Sequence, residues 1–121
     1  MSKAADRFCH LHVHSHFSLL DGVNTIPNMV RLAKDQGMKA LALTDHGNMY
    51  GAIEFHQTCR QQGIKPIIGM EAYITDGSRH ERKREGGRQP HFHLVLLAKN
   101  ERSEEHTSEL QSRQYLVCRL L

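Results

Sequence analysis

A chain of 121 residues, 39% hydrophobic and 24% charged, has room for one small domain or a piece of a larger one, with the composition of an ordinary soluble globular protein. No apolar run approaches the roughly 18 residues of a membrane span and no signal-peptide pattern follows Met1, so neither a membrane nor secretion is expected; three cysteines far apart, with no CxxC, argue against a disulfide framework or zinc ribbon and fit a cytoplasmic setting. A net charge of +3 is too mild to carry nucleic-acid binding alone, and the unusual count is ten histidines, nine of them before residue 94.

Residues 8–14, FCHLHVH, alternate as a strand does. That places His10, His12 and His14 on one face and Cys9, Leu11 and Val13 on the other. SLLDG then closes the strand with a turn at Gly22. NTIPNMVRLAKDQG predicts a helix capped by Asn24 or Thr25, with Pro27 in its first turn and Gly37 at its end. Ile26, Met29, Val30 and Ala33 give it a buried stripe. KALALT, at 39–44, has the nearly continuous apolar pattern of a strand buried on both faces. The loop DHGN leads to a second helix over 49–62, with Ala52, Ile53, His56 and Cys59 at helical spacing and a stop at Gly63. IKPIIGMEAYI (64–74) predicts a third strand, with Pro66 near its start, where a missing donor is tolerated. FHLVLLA (92–98) predicts a fourth.

Strands alternating with helices at this spacing imply βαβ units and a parallel α/β sheet. Parallel sheets need cover on both faces, so about four strands imply the first part of a larger α/β domain. Between the last two strands, DGSRHERKREGGRQP (76–90) is polar and mostly basic. It reads as a solvated loop in preference to a phosphate or DNA contact.

Three histidines alternating on one strand would leave costly polar groups together unless something binds them. A metal does so naturally, because neutral imidazole is the commonest metal ligand, although a surface strand could also expose all three. The other strand ends strengthen the metal reading. In parallel α/β folds, functional groups gather beyond the C-terminal ends of the strands. Asp21 follows the first strand, Asp45 and His46 the second, Glu71 lies late in the third and His93 sits in the fourth. This mixture of imidazoles and carboxylates suits Zn²⁺, Mn²⁺ or Fe²⁺, in a cluster able to hold more than one ion. The reaction class it suggests is metal-assisted phosphoester hydrolysis. No Walker loop, GxSxG, HExxH or GxGxxG offers a competing chemistry, and Cys59 reads as packing. No catalytic residue is assigned.

HLHVHSHFSLLDG, ALALTDHGNMYGAIEF, GIKPIIGMEAYI and HFHLVLLAKN together resemble a known family, over about Phe8 to Asn100. It is the PHP domain (polymerase and histidinol phosphatase), in the form that opens bacterial replicative DNA polymerase III alpha subunits. The resemblance implies an α/β fold, the amino-terminal part of a distorted seven-stranded β/α barrel truncated after about four strands. It also implies a metal-ligand set. HxHS falls on His12 and His14, the acid after it on Asp21, the histidine of TDHG on His46, the glutamate after GIKPIIG on Glu71, and the histidine of HLVLLAKN on His93. His10 stands where related phosphoesterases often carry an acid and is a lesser candidate, while Asp45 is expected to orient His46 from behind.

The family further implies DNA and deoxynucleoside triphosphates as substrates of the whole polymerase, with the sliding clamp, clamp loader and proofreading subunit as partners. Its later metal ligands and the polymerase site with its magnesium ions are not in this sequence. The domain itself would be a metal-dependent phosphoesterase such as a 3′–5′ exonuclease. The alternatives are a catalytically inactive structural module that docks the proofreading subunit, a free-standing histidinol-phosphatase-like enzyme, and a translesion relative. After Asn100 the family pattern breaks. RSEEHTSELQS resembles an in-frame translation of a sequencing-library adapter, and YLVCRLL its continuation. The expected organisation is therefore a partial PHP domain over 1–101 and a non-native tail over 102–121.

Overall fold

The computed structural model describes residues 8–74 and 92–100. The basic stretch at 76–90 and the tail at 102–121 lie outside the described residues. Helix α1 (Ile26–Asp35) starts after Thr25 with Pro27 in its first turn, so the missing proline N–H falls where no helical partner exists. Ile26, Met29, Val30 and Ala33 are all buried, as their spacing predicts. Strand β1 (Ala40–Leu43) follows and is almost wholly buried. Helix α2 (Ala52–Gln62) ends at Gly63, whose φ of 74° is the left-handed conformation that glycine adopts without a Cβ penalty. Strands β2 (Lys65–Ile74) and β3 (Phe92–Leu97) complete a three-stranded sheet in the order β1-β2-β3. Both helices pack on this sheet and on each other. Their shared core is Ile26, Met29, Val30, Ala33, Leu41, Leu43, Phe55 and Cys59.

Three expectations are corrected. The sheet is mixed: β1 and β2 pair in parallel through the α2 crossover, but β2 and β3 are antiparallel. An antiparallel pair needs no crossover helix between its strands, whereas a parallel pair does. The second correction concerns residues 8–14, which form no regular strand. The segment does run beside β1, where Ala42 N–H donates to His10 O at 3.0 Å and Thr44 N–H to Val13 O at 2.8 Å. The two-residue step from Ala42 to Thr44 therefore spans a three-residue step from His10 to Val13. That mismatch breaks the ladder and the strict alternation of side chains beyond His10.

The third correction is the buried face of α2. Phe55 and Cys59 are buried, whereas Ile53 is 74% exposed and His56 is exposed. Spacing fits either stripe, and the bulky Phe55 occupies the core because it removes the larger apolar area from water. Phe55→Ala is thus expected to cost about 3–5 kcal/mol in denaturant unfolding. Ile53→Ala on the opposite side of the helix should stay within about 0.5 kcal/mol of wild type. Comparable losses at both positions would contradict this packing.

Candidate metal centre

The site is assembled where the ends of four segments meet, and backbone bonds set their relative heights. Glu71 N–H donates to Asp45 O at 3.0 Å and Gly47 N–H donates to Glu71 O at 2.9 Å. These bonds seat His46 and Glu71 opposite each other as a parallel bridge just beyond β1. The antiparallel register sets Tyr73 against His93 and Glu71 against Val95, so Glu71 and His93 share a face. A parallel β3 would have carried His93 to the far end of the sheet. The expected gathering at one rim therefore holds for a reason the sequence pattern did not contain.

Glu71 is the hub. It is only 2% exposed, yet its carboxylate meets four imidazoles. His12 Nε2 lies 2.5 Å and His14 Nε2 2.6 Å from Oε2. On the other oxygen, His93 Nδ1 lies 2.5 Å and His46 Nδ1 3.4 Å from Oε1. Asp21 enters from the 18–22 turn, with Oδ2 at 2.8 Å from His46 Nε2 and 3.4 Å from His14 Nδ1. That turn is tight: Gly22 N–H donates to Ser18 O at 2.8 Å, and a Cβ on Gly22 would overlap the Ser15 carbonyl. Only glycine fits there.

Among the described residues, donor atoms fall into three overlapping groups, each with its members within 4.8 Å of one another. They are His12, His14 and Glu71; His14, Asp21 and His46; and His46, Glu71 and His93. The donor chemistry fits cations. The Nε2 atoms of His12 and His14 are 3.1 Å apart and aim at the same carboxylate oxygen. If both Nε2 atoms carry protons, two N–H groups crowd one oxygen, and if neither does, three lone pairs meet; a shared cation would accept all three lone pairs at once. The arrangement is a candidate metal site.

His10 does not join it. Its exposed ring packs edge-on against Phe8, at 4.7 Å between centroids, and the extra residue between Ala42 and Thr44 contacts turns it off the face of His12 and His14. Asp45 does not reach the His46 ring among its described bonds. Its buried carboxylate accepts from Ser15 N–H at 2.6 Å, Ser15 Oγ at 2.8 Å and Ser18 Oγ at 2.7 Å. Sequence reasoning gave neither serine a role, although Ser15 is the serine of HxHS. It also missed Tyr73, which stacks on His46 at 6.4 Å and meets His93 edge-on at 5.2 Å.

Charge follows geometry. Burial pushes the Glu71 carboxyl up, but hydrogen bonds from His12 and His14, with His46 nearby, outweigh it and hold the group below its ordinary value of 4.5. The His46 hydrogen bond, followed by the charges of His46 and His14, likewise lowers Asp21. Burial raises the Cys59 thiol to about 11, which keeps it protonated and inert at neutral pH.

Comparison with known proteins places these residues in a wider setting. Residues 10–117 match the model of the PHP domain. DNA polymerase III subunit alpha of Treponema pallidum (strain Nichols) is 48% identical over 109 residues, covering 90% of this chain and 9% of that protein. The Aquifex aeolicus (strain VF5) protein of the same name is 42% identical over 113 residues, covering 89% and 10%. The chain thus spans about a tenth of the length of the curated relatives it matches. Among solved structures, a proposed metal-dependent phosphoesterase from Bifidobacterium adolescentis superposes with a TM-score of 0.59. It is 20% identical, and the match covers 85% of this chain and 33% of that one. An amidohydrolase from Chromobacterium violaceum, with bound sulfate and no metal, gives 0.52 at 27% identity, covering 74% and 26%.

The depressed Glu71 value has a testable sign. A carboxyl that titrates lower when folded contributes stability that is fully present above its unfolded value and is lost as pH falls through the folded one. Acid unfolding followed by circular dichroism should show that loss below about pH 4.5. Glu71→Gln should flatten the acid limb, and an unaltered limb in the folded variant would contradict the assignment.

Proposed function

Because this chain belongs to the PHP domain family, we propose that His12, His14, Asp21, His46, Glu71 and His93 hold a divalent metal cluster of zinc, manganese or iron that serves phosphoester hydrolysis. The single observation carrying this reading is the convergence of four imidazoles on the buried Glu71 carboxylate. Hard carboxylate oxygens mixed with imidazole nitrogens suit these ions. Once bound, they would lower the pKa of water and offset charge on a phosphoryl group.

The protein's own residues divide the remaining work. Glu71 supplies fixed negative charge at the floor, kept ionised by its histidine neighbours. Asp21 supplies a second, exposed carboxylate. His12 and His93, with side chains 55% and 42% exposed, form the open rim that a phosphoester can approach. In hydrolysis of a DNA 3′ end, water adds to phosphorus and the 3′ oxygen of the preceding nucleotide leaves.

Homology to the amino-terminal region of DNA polymerase III alpha subunits supports a place for this domain in a replicative polymerase. The polymerase's magnesium site would then be carried elsewhere in that protein. Its DNA and deoxynucleoside triphosphate substrates, and its sliding clamp, clamp loader and proofreading partners, are part of the same proposal. The reading of 102–121 as a non-native tail rests on its likeness to a translated adapter, although the family match itself runs to residue 117.

Glu71→Gln separates the catalytic reading from the structural, proofreader-docking one. In the full-length protein it should abolish metal-dependent hydrolysis of a DNA 3′ end while nucleotide incorporation survives, because a neutral amide is a much poorer ligand. Undiminished hydrolysis in the folded variant, free of contaminating nuclease, would overturn the catalytic assignment.

A further inference from the structure

We propose that Asp45 is a positioning residue that builds one part of the cluster, the group formed by His14, Asp21 and His46, by clamping the 15–22 turn onto the end of β1. The inference rests on the metal-centre reading and deepens it.

Asp45 is 1% exposed, and the described bonds of its carboxylate are all with neutral groups. A polar group buried this deeply needs hydrogen-bond donors. It has them: Oδ1 accepts from Ser15 N–H and Ser18 Oγ–H, and Oδ2 accepts from Ser15 Oγ–H. Both serines are buried, so these bonds compete little with water.

Each bond leads to a member of the same donor group. Ser15 directly follows His14, so fixing its N–H and hydroxyl fixes the peptide from which the His14 ring projects. Ser18 Oγ, while donating to Asp45, accepts the backbone N–H of His46 at 3.1 Å. The Ser18 carbonyl in turn accepts from Asp21 N–H at 3.1 Å and Gly22 N–H at 2.8 Å. One carboxylate therefore sets the spacing of three donors that come from two segments.

His93 arrives on β3 and meets the cluster through the Glu71 carboxylate and the edge of the His46 ring. A clamp of this kind should act directly on the Asp21 group and reach the His93 side only through His46. A carboxylate that merely stabilised the fold would loosen both equally.

The experiment is a double-mutant cycle on Co²⁺ affinity, titrated by visible absorption in the full-length protein, with folding checked by near-ultraviolet circular dichroism. Asp45→Asn should weaken Co²⁺ binding about tenfold or more, the range typical of outer partners that orient ligands. In an Asp21→Asn background the same change should add little, because the group it serves is already broken. In a His93→Gln background most of its effect should persist, since only His46 is common to the two groups. Ser18→Ala, which deletes only the shared hydroxyl, should reproduce the pattern and takes the place of Asp45→Asn if that variant does not fold. Unchanged affinity in both Asp45→Asn and Ser18→Ala, or losses that add fully to Asp21→Asn, would overturn the clamp. Absence of Co²⁺ binding by the wild type would overturn the metal-centre reading itself.

Discussion

A carboxylate taken out of water must be met by hydrogen-bond donors or positive charge, and Glu71 is met by imidazoles from three other segments. His12 and His14 come from the extended stretch beside β1, His46 from the loop beyond it, and His93 from the start of β3. None of these segments holds the site alone. The contacts that satisfy Glu71 are also the ones that collect the donor atoms.

A hub of this kind is two-sided. With one buried carboxylate and several lone pairs, removing any partner leaves others badly satisfied. Surroundings that hold the partners in place then matter as much as the partners. The Asp45–Ser15–Ser18 network lies beneath the cluster on the β1 side, and Tyr73 borders it on the β2 side, against His46 and His93. Exposure is kept for the rim, at His12 and His93.

Much of this was legible in the sequence. Proline at a helix start, glycine after a helix end and a short apolar run are local signals, and α1, β1 and the end of α2 follow them closely. What failed were inferences that need long-range partners. Alternation in 8–14 gave a face for His10 that the mismatch against β1 removes. Helical spacing on α2 could not choose between Phe55 and Ile53, since volume available in the core makes that choice. The direction of β3 is invisible to periodicity, yet it decides whether His93 reaches Glu71 at all. Asp45 stands beside His46 in the sequence, but the groups its carboxylate bonds lie about thirty positions away, at Ser15 and Ser18.

The central claim is that Glu71 and the five side chains gathered around it are ligands. Anomalous diffraction from crystals of the full-length protein, recorded on either side of the absorption edge of the bound metal, tests it most directly. The account predicts anomalous peaks among His12, His14, Asp21, His46, Glu71 and His93, within ordinary ligand distance of about 2.0–2.3 Å. Metal found only elsewhere in a fully loaded crystal, with these six side chains ordered and bound to nothing but one another, would contradict it.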